Sequence, residues 1–389
     1  MRSTLRVTSS MSKNYFHAVA TLIGTIVGVG IFSIPFVVNK SGIILLFIYL
    51  PILGLVQYFL HKIYAEIILS TKEKHRLPGY AEKYIGKNGK ILAFIINLLG
   101  SYGSLLAYII IGGIFLHELL GPILGGSIFS YSLILFAIQT AIVLSGLKLI
   151  ASMELGMAGL LLAVIGLLVW RGWGYVNQGN FNLVSWQYAL LPYGPIFFAV
   201  GGSDAIPAVC KLLAQKKENI KSAIAWGTFI PVIITMIFAF VVVGITGDNT
   251  SPDTLVGLRA ILPNDIMIAV LIFGLLAIIT SFLVIAQATR EIFWWDFGVN
   301  KNISWVLACF VPLLLYLIGL QNLTKIVSLT GAVTGGLIGI LSIWLLMEVK
   351  KKAEQKSIIR NNINKPIVAM LSLLFISGLL YELYFFFIN

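Results

Sequence analysis

Two short segments hold the residues best suited to chemistry. Gly28-Val-Gly-Ile-Phe-Ser-Ile-Pro35 returns as Val200-Gly-Gly-Ser-Asp-Ala-Ile-Pro207, so Gly30 to Pro35 and Gly202 to Pro207 share the order G-x-x-x-I-P. Both copies lie inside long apolar stretches, where glycine lets the backbone leave helical geometry and proline removes a helical hydrogen bond. A half-helix that resumes near Ile31 offers unpaired amides and the positive end of its dipole, which suit a carboxylate. Pro35 and Pro207 have no amide hydrogen, so the carbonyls of Ile31 and Ser203 are expected to be free for a cation. Donors for an anion beside acceptors for a cation fit a zwitterion of amino-acid type, or a carboxylate together with Na⁺. Packing kinks would explain one such segment but do not require the same order twice.

Asp204 stands at the start of the second half-helix, near mid-span. An aspartate at the centre of a membrane helix costs roughly 2.5–3.5 kcal/mol, and a helix amino terminus returns about 0.3–1 kcal/mol. Water, a cation or a proton must supply the rest, which makes Asp204 a candidate for proton coupling; as an end cap in a wet vestibule it would be structural. Thr280 and Ser281 place two hydroxyls at mid-membrane depth. Such hard oxygen ligands suit Na⁺, although hydroxyls there also bond to their own helix.

The remaining polar residues carry weaker signals. Glu154 can cap its helix behind Ser152. His61, Lys62 and Glu66 fall toward the inner end of the second apolar stretch, where snorkelling and a local i,i+4 pair account for them. His17, His117 and Glu118 sit near span ends and read as interfacial. Cys210 and Cys309 are too few for a disulfide framework and read as packing residues. The four histidines show no metal-ligand spacing, and there is no nucleotide loop or nucleophile motif. No enzyme activity and no cofactor are expected beyond a coupling H⁺ or Na⁺.

The elements that must position these residues are membrane helices. Of 389 residues, 59% are hydrophobic and 11% charged, with a mean hydropathy of +0.97. Apolar stretches of about 20 residues recur, giving eleven expected spans at 15–38, 43–70, 90–119, 128–147, 153–170, 190–213, 220–245, 265–289, 303–320, 326–347 and 367–387. The first is too long for a signal peptide and lacks a cleavage site. Of the 27 Lys and Arg residues, Lys40, Arg171, Arg259 and Lys325 fall in one set of connections and Lys62 within a span. The rest, including Lys148 and the run from Lys350 to Lys365, fall in the other set. That bias puts the amino terminus in the cytoplasm and the carboxyl terminus outside, in a bacterial inner or plasma membrane. The net charge of +12 then reflects topology and anionic lipid rather than nucleic acid.

The two breaks divide the chain into units of five spans, 14–171 and 189–349, with residues 365–389 as an accessory helix. Five is odd, so the units insert in opposite directions, which is the inverted repeat of many secondary transporters. Two connections look amphipathic. Residues 78–90 suit an interfacial helix, and 252–264 set Leu255, Leu258, Ile261 and Leu262 at helical spacing, as a lid over an outer vestibule would. Gly331, Gly335 and Gly339, like Gly112 and Gly113, favour close helix contact.

On these residues the chain resembles the amino acid–polyamine–organocation superfamily, whose members share the leucine-transporter fold. GTIVGVGIFSIP is similar to that superfamily's first-helix motif. Thr280-Ser-Phe-Leu283 with Phe293-Trp-Trp-Asp-Phe-Gly298 resembles the bacterial aromatic (hydroxy/aromatic) amino acid permease branch, while IPFVVNKSG leans toward the amino acid/auxin permeases. The resemblance implies an all-α polytopic protein with discontinuous first and sixth helices. Gly28, Val29 and Gly30 would receive a substrate carboxylate, with Thr25 close by. Carbonyls from Ala199 through Gly201 and Gly202, next to Ser203, would receive the ammonium, beneath an aromatic gate at Phe198. Asp204 would be the acidic residue of proton-linked relatives; Thr280 and Ser281, with the carbonyl of Gly28, would hold sodium in the others. Lys148 precedes the fifth span, so no lysine inside that span replaces the ion.

The expected function is a secondary active transporter that imports a neutral L-amino acid, with aromatic ones included, by alternating access with H⁺ or Na⁺. Its partners are the amino acid and the lipid bilayer. A polyamine permease, which would offer several pocket acids, and a membrane amino acid sensor, which would often bear a soluble domain or long tail, are the alternatives.

Overall fold

The computed structural model describes the backbone of residues 2–145 and 147–388 and the side chains of 13–145, 156, 159, 160 and 162–385. The expectations for Lys148, Ser152 and Glu154 fall on side chains outside the described residues. Lipid offers no partner to a peptide group, so a chain this apolar satisfies its backbone within helices. Among the described residues, eight helices are long and apolar enough to cross a membrane. Lys13–Ile26 and Gly30–Ser41 form a further crossing bent by 49°, and Leu162–Tyr175 and Lys301–Leu317 are shorter apolar helices.

These are the eleven expected spans. The first is the bent pair. Ile43–Leu69, Lys87–Leu124, Ile128–Ser145 and Leu147–Gly172 are the second to fifth, and Ile220–Thr246, Asn264–Glu291 and Lys301–Leu317 the seventh to ninth. The sixth span is interrupted: Tyr193–Ala199 stops, a 3₁₀ turn covers Ser203–Ala205, and Ile206–Leu212 completes the crossing. The tenth runs from Leu323 to Lys352 with a π-helical turn at Thr330–Gly335, and Lys365–Ile388 is the eleventh. By parity of crossing, the first and sixth spans run in opposite directions, with their breaks at the same depth.

Lipid tails are as apolar as leucine, so helices here associate through close packing, which small residues permit. A Cβ on Gly331 would collide with the Gly194 carbonyl, one on Gly335 would stand 2.8 Å from the Phe197 ring, and one on Gly339 would stand 2.6 Å from Phe375 in the eleventh span. A Cβ on Gly112 would likewise stand 2.5 Å from Leu135 and 3.3 Å from Ile278. The buried apolar residues form two clusters. One holds Leu22, Leu53, Ile206 and Leu345, and the other holds Val29, Phe32, Phe238 and Phe282.

We call the end carrying residues 70–90 and 350–365 the basic end. At the opposite end, the Phe32 ring meets Phe115 and Phe238 edge-on, at centroid distances of 4.8 and 5.6 Å. Segment 252–264 forms the short helix Leu255–Arg259. It buries Leu255, Leu258 and Leu262 in the Phe32 cluster, with Ile261 packed against it, and ties Arg259 to Glu118 at the end of the third span.

At the basic end, residues 78–90 do not form an interfacial helix. Leu77–Tyr84 is a helix whose Pro78, Gly79, Tyr80, Ala81 and Tyr84 are buried in protein. The cause is a cap that sequence spacing does not show: the Asp296 carboxylate accepts the amides of Arg76 at 3.2 Å and Gly79 at 3.0 Å. That cap drives the tyrosine face inward against the bundle.

Candidate substrate site

The two breaks face each other across one cavity. In the first, Val27 N–H reaches back to the Ile23 carbonyl and Gly28 N–H closes a tight turn on Ile26, at 2.8 and 2.9 Å. The helix resumes at Gly30. Among the described residues, no backbone acceptor meets the amides of Val29, Gly30 or Ile31, so the expected set of free donors is present. In the second break, Gly201 N–H bonds to the Phe198 carbonyl at 3.1 Å. One expectation fails there. The Ser203 carbonyl is not free, because the 3₁₀ turn hands it the amide of Ile206 in place of the one that Pro207 lacks.

A cavity of about 120 Å³ opens between the breaks, enough for several water molecules. Thr25, Gly28, Gly30, Phe198, Ala199, Gly201, Gly202, Ser203 and Asp204 all line it. Val29 does not; its side chain is wholly buried in the Phe32 cluster, so only its amide is available. The Thr25 hydroxyl donates to the Thr21 carbonyl of its own helix at 2.7 Å.

One wall was not anticipated. Asn97, Ser101, Ser104 and Tyr108 of the third span line the cavity, with Thr330 and Thr334 of the tenth. The signal lay in the spacing i, i+4, i+7, i+11, which puts four polar side chains on one face of an otherwise apolar helix. The π-helical turn at Thr330–Gly335 brings the tenth span's threonines against Gly100 and Gly103, and such turns cluster at functional sites.

The expected sodium ligands are brought together in part. The Ser281 hydroxyl donates to the Gly24 carbonyl at 3.0 Å. Tyr108 and Ser281 stand over Gly28, where a Cβ would lie 2.7 Å from one hydroxyl and 2.9 Å from the other. Thr280 turns away, its hydroxyl spent on Leu276 and Ala277 carbonyls of its own helix at 3.1 Å.

Arg76 also lines the cavity, and sequence reading passed over it. Its Nη2 lies 2.6 Å from Glu291 Oε2, its Nε donates to the same oxygen at 2.9 Å, and its Nη1 donates to the Asp204 carbonyl at 2.9 Å. Gln287 donates to the other Glu291 oxygen at 3.0 Å. A buried ion pair is tolerable only when its remaining hydrogen-bonding positions are filled in this way. The cluster ties the second half-helix to the eighth span at the basic end. A lone arginine in a loop gives no sign of such a partner.

Three polar residues of the second span are corrected. His61 is not snorkelling; it is fully buried, accepts the Gly202 amide at Nε2 and bonds Thr228 through Nδ1, at 3.2 and 3.0 Å. Glu66 does not pair with Lys62, since its carboxylate is taken by the Asn361 backbone and side-chain amides at 2.7 and 2.8 Å. Lys62 instead lies over the Tyr58 and Phe59 rings, 5.1 and 4.8 Å from their centroids.

Solved structures with a similar fold include transporters. MhsT, in a crystal structure with L-phenylalanine, matches with a TM-score of 0.66 at 14% identity, over 95% of this chain and 97% of its own. Mhp1, a nucleobase-cation-symport-1 family transporter in a closed conformation with bromovinylhydantoin bound, gives a TM-score of 0.65 at 15% identity, over 95% and 90%. A manganese transporter from Eremococcus coleocola gives 0.64 at 14%, over 96% and 88%. Identities this low carry the fold alone, which is the leucine-transporter fold expected from the sequence. No curated protein sequence matches the chain. The sequence model of the Tryptophan/tyrosine permease family matches residues 11–381, both breaks and every cavity wall included. The chain therefore belongs to the Tryptophan/tyrosine permease family, whose members are secondary amino acid transporters.

Proposed function

We propose that the chain imports an aromatic L-amino acid together with H⁺. The observation that carries this reading is the pairing of free amides at Val29, Gly30 and Ile31 with the broken backbone at Ala199–Ser203 across one small cavity. The amides take the carboxylate, the carbonyls of the second break take the ammonium, and Phe198 covers the zwitterion. Asn97, Ser101 and Ser104 supply polar groups for a phenol or indole. The family assignment and the likeness to MhsT with bound L-phenylalanine support the aromatic class. A polyamine fits less well, because Asp204 is the one acidic side chain lining the cavity among the described residues.

Proton coupling is favoured over sodium by the hydroxyls. The two oxygens best placed for sodium, Ser281 Oγ and the Gly24 carbonyl, are hydrogen-bonded to each other, and Thr280 points elsewhere. Asp204, half-buried in the cavity, is the group we assign to the proton. We place the basic end in the cytoplasm, from the distribution of Lys and Arg. Residues 14–171 and 189–349 are then the two inverted units and 365–389 the accessory helix. The cavity reaches Arg76, Leu77 and Ser342 toward the basic end, while the Phe32 cluster closes the other, so this conformation faces inward.

Purified protein in liposomes, given a panel of labelled amino acids under separate pH and Na⁺ gradients, tests the reading. Uptake of tryptophan, tyrosine or phenylalanine driven by an inward proton gradient is expected, and Asp204→Asn should abolish the gradient's effect. Accumulation that follows Na⁺ alone would replace the proton, and binding without any counterflow would make the protein a sensor.

A further inference from the structure

His61 of the second span joins the sixth and seventh spans. The Gly202 amide donates to its Nε2 at 3.2 Å, and its Nδ1 lies 3.0 Å from Thr228 Oγ1 in the seventh span. A ring nitrogen that accepts an amide hydrogen carries no proton of its own. Nδ1 therefore bears the hydrogen and donates it to the Thr228 hydroxyl, and the ring is neutral in a single tautomer. Gly202 is a tight pivot: a Cβ there would stand 2.6 Å from Ile26 and 2.9 Å from Leu22 in the first span. Its carbonyl accepts from Ala205 at 3.1 Å and so opens the turn that carries Ser203 and Asp204. The bond to His61 sets the direction of that turn.

We propose that His61 is a positioning residue for the second break, holding the Gly202 amide through unprotonated Nε2. A protonated ring would set N–H against N–H at Gly202 and release the carbonyls of Ala199 to Ser203. Conversely, any movement of the break that frees Nε2 exposes a basic nitrogen to water. Charged groups on the packed elements leave the ring alone: Lys62 and Glu66 on its own helix engage other partners. The other ionisable groups on these elements, Asp204 and Lys211 on the sixth span, Lys221 on the seventh, and Lys13 and His17 on the first, make no hydrogen bond to the ring, whose two nitrogens are taken by Gly202 and Thr228.

This inference rests on the cavity being the amino acid site, and its test separates the two. Equilibrium binding of labelled aromatic amino acids to the full chain in detergent is measured from pH 8 to 5.5 for wild type, His61→Ala and His61→Gln. The alanine variant should bind at least tenfold more weakly at every pH. Glutamine offers Oε1 to Gly202, so it should recover most of the affinity that alanine loses. Affinity in His61→Gln no better than in His61→Ala overturns the proposal. In parallel, ¹⁵N spectra of histidine-labelled protein should lose, in His61→Gln, a signal of the neutral Nδ1–H tautomer; an Nε2–H tautomer there also overturns it. If wild type binds no amino acid, the functional reading fails, and the tautomer alone decides whether His61 holds the break.

Discussion

Gly30 lies directly against Ala199: a Cβ on the glycine would stand 2.6 Å from the alanine Cα and 2.7 Å from its Cβ. The head of one resumed half-helix thus touches the end of the helix before the other break. The amide donors of the first span are thereby held beside the broken backbone of the sixth.

Gly30→Ala should therefore separate the two breaks, since backbone cannot yield as a flexible side chain would. We expect at least a tenfold loss of uptake with near-normal expression and folding, read as initial rate in liposomes against protein recovered. Uptake within twofold of wild type would show that the contact is dispensable.

Arg76→Ala should leave Glu291 buried without its cation, at a cost of about 3–5 kcal/mol. Replacing both residues by apolar ones of similar size should recover most of that loss. A double-mutant cycle on unfolding in detergent measures the coupling. Additive losses would mean that the 2.6 Å pair contributes nothing beyond its separate parts.

His75, in the connection before the Leu77–Tyr84 helix, lies 3.4 Å from Asp296. The Asp296 carboxylate beside it favours the protonated ring and raises its pKa above the ordinary imidazole value. Because the folded-state pKa is the higher one, this contact is fully stabilising below the unfolded value of about 6.5 and is lost as pH rises through the folded value. A ¹⁵N titration should find the His75 midpoint falling toward 6.5 in Asp296→Asn; an unmoved midpoint would locate its cause elsewhere.

Thr254 has a left-handed backbone, φ 68°, which a β-branched residue adopts only under constraint. Its hydroxyl donates to the Phe32 carbonyl and so pins the covering segment to the first span. Thr254→Val keeps the shape and the strain but removes that hydrogen bond, at a cost of about 0.5–1.5 kcal/mol. Hydrogen exchange over residues 252–262 should quicken while that of the second span stays unchanged.

Much of this architecture is written in composition and punctuation. The spans follow from runs of apolar residues, because a helix is the form in which an isolated segment satisfies its own backbone in lipid. The breaks follow from glycine and proline, whose effects on the backbone are local. The basic connections follow from a charge bias that needs no partner to be read. Those features depend on residues close in sequence.

The neighbours of a polar side chain do not. Thr280 and Ser281 are adjacent, yet about 100° apart around their helix, and only the packed bundle turns Ser281 onto Gly24 while leaving Thr280 to its own carbonyls. Arg76 and His61 read as loop and interface residues. Their partners Glu291, Gly202 and Thr228 come from more than 100 positions along the chain. The repeated G-x-x-x-I-P marked where the backbone must open. Which side chains hold it open was decided by the helices brought around it, because a hydrogen bond is a matter of distance in space and a single sequence records only distance along the chain.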